Sequence, residues 1–171
     1  PPSTPERLEQ LVSAGLLLTS ELSLEGVLQR AAELACQITG ARYAAIGVLS
    51  DDHLKLDAFV TAGIDQETRT RIGALPVGKG VLGTVMRDRR ILRIADLQKH
   101  PDSTGFPPGH PQMKSFLGVP IERRRGVFGI LYLTEKVDGP TFNEGDEHVA
   151  RVEVGTSAAA RGGGQRGSHQ A

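Results

Sequence analysis

The chain has 171 residues, of which 39% are hydrophobic and 23% charged, a composition typical of one globular domain. Its 20 basic and 20 acidic residues cancel, so net charge gives no reason to expect nucleic acid or an anionic membrane as a partner. No apolar run approaches the roughly 20 residues needed to span a bilayer. The single cysteine, Cys36, excludes an internal disulfide and a cysteine-based zinc site. We therefore expect a cytoplasmic protein.

Two helices are predicted at the start of the chain. Residues 4–19 carry leucines and a valine at helical spacing, and we expect residues 1–19 to form a signalling or dimerisation helix that joins two copies as a homodimer. A second helix is predicted to begin after an N-cap at Ser23 and to end at Gly40. Its predicted apolar face comprises Val27, Leu28, Ala31, Leu34, Ala35 and Ile38.

The middle of the chain alternates between strand and helix patterns. The predicted elements, in chain order, are strands over 43–49 and 53–61, helices over 65–73 and 81–87, and a strand over 91–94. Asp51 and Asp52 are expected to close a hairpin between the first two strands, and Asp65 to cap the helix that follows. Glycines 78, 80 and 83 frame the next helix, and we assign them to turn geometry because no Lys-Ser/Thr pair of a phosphate loop follows them.

Residues 96–113 break this pattern with four prolines, two histidines and two glycines. A long loop inside a compact domain is typical of a functional segment. Strands over 115–122 and 126–136 follow, joined by a turn at 123–125, and Asn143 is predicted to cap a last helix. The glycine-rich residues 155–171 are predicted to be disordered. The sum is an α+β domain with one central, mostly antiparallel sheet of five or six strands flanked by helices.

The run Phe116-Leu117-Gly118-Val119-Pro120-Ile121, followed by Gly126-Val127-Phe128-Gly129-Ile130-Leu131-Tyr132-Leu133, resembles the GAF domain. GAF domains are small-molecule sensor modules of signalling proteins. The resemblance covers residues 20–154 and implies the GAF fold for them.

A narrower resemblance involves Gly63-Ile64-Asp65, Gly80-Val81-Leu82-Gly83 and the stretch from His100 to Tyr132. These segments are similar to the first, haem-binding GAF domain of the mycobacterial dormancy-survival oxygen and redox sensor histidine kinases. The resemblance implies a haem b cofactor, a downstream kinase domain outside this chain, and signalling within a two-component system.

The same resemblance implies roles for three residues. His110, which precedes Pro-x-Met, takes the position of the proximal ligand of the haem iron, and Tyr132, in Leu-Tyr-Leu-Thr, takes that of the distal tyrosine. Gly47 takes a first-strand position at the haem edge, where one family member has a glutamate and another has glycine. Glycine at this position implies the more open, oxygen-binding type.

The residues themselves support parts of this hypothesis. His110 lies between prolines, each of which restricts the backbone, so its imidazole is held in one direction. A single histidine would leave the sixth iron position open for a diatomic ligand such as O2, NO or CO. The Tyr132 phenol could donate a hydrogen bond to polarised O2, from which CO would benefit less. The predicted cavity wall comprises Phe106, Met113, Phe116, Leu117, Val119, Phe128 and Ile130, with Phe128, Ile130 and Tyr132 placed on one face by strand alternation.

Two alternatives stay open. One is a GAF module that binds a cyclic nucleotide or another small ligand without haem, and the other is a dimerisation or interaction module without a ligand. An enzyme is not expected, because no Ser/His/Asp constellation is evident and a GAF-type methionine sulfoxide reductase would need more cysteines than Cys36. Among the other histidines, His100 is a second candidate ligand, while His53, His148 and His169 are predicted to lie at the surface.

Overall fold

The computed structural model describes residues 7, 10, 23–53, 55–72, 80–103, 105–106, 108–123 and 126–151. Most of the helix predicted over 4–19 lies outside this part of the chain, although Arg7 and Gln10 are described and helical. The glycine-rich tail over 155–171, Gly78, His169 and the centre of the turn at 123–125 also lie outside the described residues.

The described residues form helices on both faces of a single five-stranded sheet. Its strands have the order β2-β1-β5-β4-β3, and every neighbouring pair is antiparallel. The elements are α1 (Leu24–Thr39), β1 (Ala41–Leu49), β2 (Leu56–Ala62), α2 (Gln66–Ile72), α3 (Gly80–Asp88), β3 (Leu92–Ile94), a 3₁₀ turn (Leu97–Lys99), β4 (Phe116–Arg123), β5 (Gly126–Lys136) and α4, described over 144–151. The predicted α+β class and antiparallel sheet are confirmed. None of the described helices is long and apolar enough to cross a membrane.

Local capping chemistry fixes the ends of α1 where the sequence predicted them. The Ser23 side chain accepts a hydrogen bond from the Gly26 N–H at 3.0 Å. Gly40 takes a left-handed conformation, with φ at 73°, and its N–H bonds to the Cys36 carbonyl. Glycine adopts this conformation at the end of a helix without steric cost. The predicted apolar face of α1 is buried.

The sheet separates two apolar clusters. The helix-side cluster packs one face of the sheet against α1 and α4. Its central members are Val27, Ala31, Ile46, Leu117, Val119, Leu131, Leu133 and Ala150. The loop-side cluster packs the other face against α3 and the segment after β3. Its members are Val81, Val85, Ile94, Leu97, Met113, Phe116, Ile130 and Tyr132, with half-buried residues such as Phe59 and Phe106 against them.

The turn between β1 and β2 is longer than the sequence indicates. The predicted strand start at His53 was wrong, since β2 begins at Leu56. His53 has a φ of 58°, its N–H bonds to the Ser50 carbonyl at 2.9 Å, and its Nε2 lies 3.1 Å from the Val127 carbonyl oxygen. This residue therefore ties the β1–β2 turn to the neighbouring hairpin rather than extending a strand.

Gly129 lies where β1 and β5 approach too closely for a side chain. A Cβ at this position would collide with the carbonyl oxygen of Gly47 on β1. Because this neighbour is backbone within a paired strand, it cannot rotate away as a side chain would. We expect Gly129→Ala to lower the free energy of unfolding by about 1–3 kcal/mol, the usual cost of overpacking, in urea denaturation. Gly139→Ala, whose nearest neighbours lie 3.6 Å from the new Cβ, is the control. Equal urea midpoints for Gly129→Ala and the unsubstituted protein would contradict this reading.

Candidate functional site

Tyr132 places a hydroxyl group inside the loop-side cluster. Its side chain points to the same sheet face as Ile130, two residues earlier on β5. The residue is 4% exposed, and its ring centroid lies 6.1 Å from that of Phe116. Within the described residues, the Tyr132 hydroxyl has no hydrogen-bond partner. Burial raises the pKa of this phenol far above its ordinary value, so at neutral pH the group is a protonated donor.

An unsatisfied hydroxyl of this kind costs stability when no ligand accepts a hydrogen bond from it. We therefore expect Tyr132→Phe to raise the free energy of unfolding of the protein without ligand, by up to about 1–3 kcal/mol. Urea denaturation measures the difference. Tyr43→Phe, in a half-buried tyrosine packed on the same cluster, is the control and should give no comparable gain. A lower midpoint for Tyr132→Phe would mean that its hydroxyl has an acceptor in solution.

His110 lies in the segment that closes over this face of the sheet. Its Nδ1 is 2.8 Å from the carbonyl oxygen of Pro111. A carbonyl only accepts hydrogen bonds, so Nδ1 carries a proton, and in the tautomer that this bond selects the lone pair is on Nε2. The ring of Phe106 stacks on the imidazole, with centroids 4.9 Å apart and planes inclined by 10°. Because Phe106 also packs on the loop-side cluster, it connects His110 to the surroundings of Tyr132.

The His110 segment is anchored on both sides of the histidine. Before it, Gly109 has a φ of 80°, and a Cβ there would lie 3.1 Å from Cδ of Arg71 on α2. After it, Met113 is buried, and the Thr134 hydroxyl on β5 donates to its sulfur at 3.2 Å. The segment is thus held between α2 and the end of β5, which limits where the imidazole points.

Gly47 lies on the sheet face that carries the loop-side cluster. It pairs with Ile130 on β5 and with Phe59 on β2, and residues directly opposite one another in a sheet share a face. A Cβ at Gly47 would come within 2.9 Å of the Leu56 side chain. The position therefore has no room for a longer residue unless Leu56 moves.

The structure brings most of the predicted wall together and separates three residues from it. Phe106, Met113, Phe116, Ile130 and Tyr132 share the loop-side cluster.

The prediction for Leu117 and Val119 was wrong, because both are fully buried in the helix-side cluster. They flank Gly118, which pairs with Tyr132, so alternation turns their side chains away from the tyrosine.

The prediction for Phe128 was also wrong, for a different reason. Its side chain packs on the helix-side cluster rather than with Ile130 and Tyr132. The β4–β5 register passes from Ile121↔Gly129 to Glu122↔Val127 and skips Phe128. This bulge adds a residue to β5 and breaks the alternation on which the prediction rested.

Two parts of the wall were missed at the sequence level. Phe59 on β2 packs on the loop-side cluster, opposite Gly47. Val81 and Val85, buried on α3, belong to the cluster itself. Their i, i+4 spacing was a signal that the helix turns one apolar stripe toward the site.

The other histidines take structural positions where they are described. His100 accepts a hydrogen bond on Nδ1 from the Asp102 N–H at 3.1 Å, within a turn. His53 is held by the Val127 carbonyl, as above, and is half-buried, whereas His148 is exposed as predicted. Across the described parts of the chain, no three His, Cys, Asp or Glu side chains are grouped as a metal site.

Comparison with known proteins gives the same fold, that of the GAF domain, from a family model and from solved structures. A family model for the GAF domain matches residues 21–160. The chain is similar to the GAF domain of an Acinetobacter phosphoenolpyruvate-protein phosphotransferase, with a TM-score of 0.75 and 22% identity over 99% of this chain and 100% of that one. The corresponding domain from Coxiella burnetii gives a TM-score of 0.74 and 24% identity over 92% and 96%.

An enzyme is also among the similar structures. The free methionine-R-sulfoxide reductase of Neisseria meningitidis, solved with its substrate, has a TM-score of 0.68 and 17% identity over 93% of this chain and 92% of that one. Identities at this level show a shared fold, and function has to be argued from the residues of the site.

Proposed function

This chain belongs to the GAF family, a group of signalling and sensor modules, and from that premise we propose that it is a haem-binding sensor of a diatomic gas or of redox state. The proposal extends to its setting as the cytoplasmic input domain of a two-component histidine kinase, paired with a second copy through residues 1–19. The narrower resemblance to the dormancy-survival sensor kinases supports this choice within the GAF family.

The observation that carries the proposal is the Tyr132 hydroxyl, which has no hydrogen-bond partner in the part of the chain that the structure describes. It is the polar end of a buried side chain in a cluster whose other members are apolar. Proteins pair such buried donors in nearly every case, so an unpaired one calls for a missing acceptor. A ligand on this face of the sheet would supply that acceptor.

His110 fits the role of an iron ligand. A porphyrin brings four nitrogens of its own, so the protein needs to provide one imidazole rather than a cluster of metal-binding side chains. The bond from Nδ1–H to the Pro111 carbonyl fixes the tautomer that leaves Nε2 free, which is how metal-binding histidines are oriented. When bound, haem supplies an iron with an open position for a diatomic gas.

The chain's own residues would then select among gases. Tyr132 would donate a hydrogen bond to the gas ligand, and its apolar neighbours would keep water from competing for that bond. Raised far above neutrality, the phenol pKa keeps the donor proton in place at physiological pH. At Gly47, beside Ile130, the Leu56 side chain lies over the backbone, so an apolar residue would line this edge of the site.

A reductase function has weaker support. Cys36 is the only cysteine of the chain, and it packs on the helix-side cluster, across the sheet from Tyr132. Burial, together with the charge of Glu33, raises the pKa of its thiol to about 12. Because the thiolate is the reactive form, a thiol with this pKa is a poor nucleophile.

A second candidate function is the binding of an apolar small molecule without haem. It rests on the same hydroxyl, which any buried acceptor would satisfy. A cyclic nucleotide, the other ligand that the sequence leaves open, is tested as a competitor of haemin.

Haemin titration tests the proposal against this alternative. We expect saturable binding of one haemin per chain, and little effect of a cyclic nucleotide added as competitor. Absence of haemin binding, with binding of the nucleotide or of an apolar probe instead, would reject the haem proposal and favour a GAF module for another ligand.

A further inference from the structure

The end of β5 is bonded to the segment that follows His110. The Glu135 N–H donates to the Ser115 carbonyl at 3.0 Å, and the Lys136 N–H donates to the Ser115 hydroxyl at 3.0 Å. In return, the Lys114 N–H donates to the Glu135 carboxylate. These bonds lie one to two residues from Met113, whose side chain is part of the loop-side cluster.

Glu135 is held in a conformation that a non-glycine residue rarely adopts. Its φ is 56°, and the β1–β5 register passes from Tyr43↔Thr134 to Ala41↔Lys136 around it. Such a backbone state costs free energy and persists only where the surroundings impose it. Here the bonds to Lys114 and Ser115 impose it, so this part of β5 depends on where the His110 segment lies.

Directly after Glu135, the Lys136 ammonium joins three parts of the fold. Its Nζ lies 3.0 and 3.1 Å from the two oxygens of Asp146 on α4, and 3.1 Å from Asp138 in the turn after β5. It also donates to the Thr39 carbonyl at the end of α1, at 2.8 Å. The Lys136 side chain is only 5% exposed, and that of Asp146 is fully buried.

Asp146 extends this cluster to the start of α4 and to Arg7. It accepts from the Asn143 N–H at 2.9 Å, while the Asn143 side chain accepts from the Asp146 N–H at 3.1 Å, a reciprocal cap. Arg7 approaches the same carboxylate at 3.8 Å. The Arg7 Nε is buried and has no partner within the described residues.

We propose that residues 134–136 form a coupling segment that transmits a displacement of the His110 segment to α4 and to Arg7. The coupling rests on the proposed function in one respect: a ligand bound by His110 displaces the His110 segment. A shift of Ser115 breaks the bonds that hold Glu135 and moves the base of the Lys136 side chain. The buried Lys136–Asp146 pair must then move with it or break, so α4 and Arg7 sense the occupancy of the site.

Hydrogen exchange of the full chain tests this coupling, with ferric haemin as the probe. In the unsubstituted protein, haemin should change amide exchange in both 110–115 and 144–151, by about fivefold or more for a coupling of ordinary size. The double variant Lys136→Met/Asp146→Asn removes both charges, which avoids leaving one of them buried and unpaired. In this variant only residues 110–115 should respond. An undiminished response at 144–151 would overturn the proposal.

A second comparison decides the matter without any ligand. Glu135→Ala removes the acceptor for the Lys114 N–H, and we expect faster exchange both at 113–115 and at 144–151. In the Lys136→Met/Asp146→Asn background, the added effect at 144–151 should disappear. Glu122→Ala, at an exposed glutamate on β4, is the matched control. If haemin does not bind, the proposed function fails; if Glu135→Ala leaves 144–151 unchanged, the coupling fails.

Discussion

Replacing His110 with alanine is expected to abolish haem retention. In the proposed site, His110 Nε2 would be the single protein atom bonded to the iron. The hydrogen bond from Nδ1–H to the Pro111 carbonyl orients the imidazole. Loss of an outer hydrogen-bond partner of a metal ligand already costs about 10- to 100-fold in affinity. Loss of the ligand itself should therefore weaken binding by more than about 100-fold.

Transfer of haem to an excess of apomyoglobin measures this effect, because the transfer rate follows haem loss from the donor. His100→Ala is the matched control, since this histidine makes its described hydrogen bond within a local turn. Imidazole added to the buffer should partly restore the spectrum of His110→Ala, which separates loss of a ligand from loss of the fold. Unaltered haem retention in His110→Ala would eliminate this residue as the ligand.

Tyr132→Phe is expected to weaken O2 binding relative to CO by about 10- to 100-fold. The phenol is a buried donor, and hydrogen bonds to a charged or strongly polarised acceptor contribute about 1.5–3 kcal/mol. Bound O2 is the more polarised of the two gases, so it gains more from this bond. Phenylalanine keeps the ring packing on Phe116 and removes only the hydroxyl.

Association and dissociation rates for both gases, followed by flash photolysis and rapid mixing, give the two affinities. Most of the change should appear in the O2 dissociation rate, since the lost bond forms only after the gas binds. Tyr43→Phe serves as the control on the same sheet face. Equal changes for O2 and CO would argue that Tyr132 shapes the site without donating a hydrogen bond.

Some features of the fold could be predicted because they depend on neighbouring residues. Ser23 and Gly40 set the ends of α1 through contacts within four residues, and Asp65 caps α2 by accepting from the Thr68 N–H at 2.7 Å. Such local chemistry is visible in a sequence.

Other features depend on partner strands and could not be predicted in this way. Strand alternation puts Phe116 on one face of the sheet and Leu117 and Val119 on the other, so the three cannot line one wall. Only the pairing of β4 with β5 settles which of the two faces also carries Tyr132. Phe128 was misplaced because its bulge arises from the register between two strands.

The site divides in the same way. His110 and Tyr132 could be singled out from the proline-rich loop and the family resemblance. That the Tyr132 hydroxyl has no partner among the described residues could not be predicted, because it depends on every side chain around it. The Lys136 ammonium and the Thr39 carbonyl that it binds are 97 residues apart, so no local sequence pattern predicts their contact.

An absorption spectrum tests the central claim most directly. The full chain is mixed with one equivalent of haemin, reduced without air, and then exposed separately to O2 and to CO. We predict the Soret band of a five-coordinate ferrous haem that shifts distinctly with each gas, as expected for one imidazole ligand and an open site. A spectrum of free haemin that is unchanged by the protein would contradict the account.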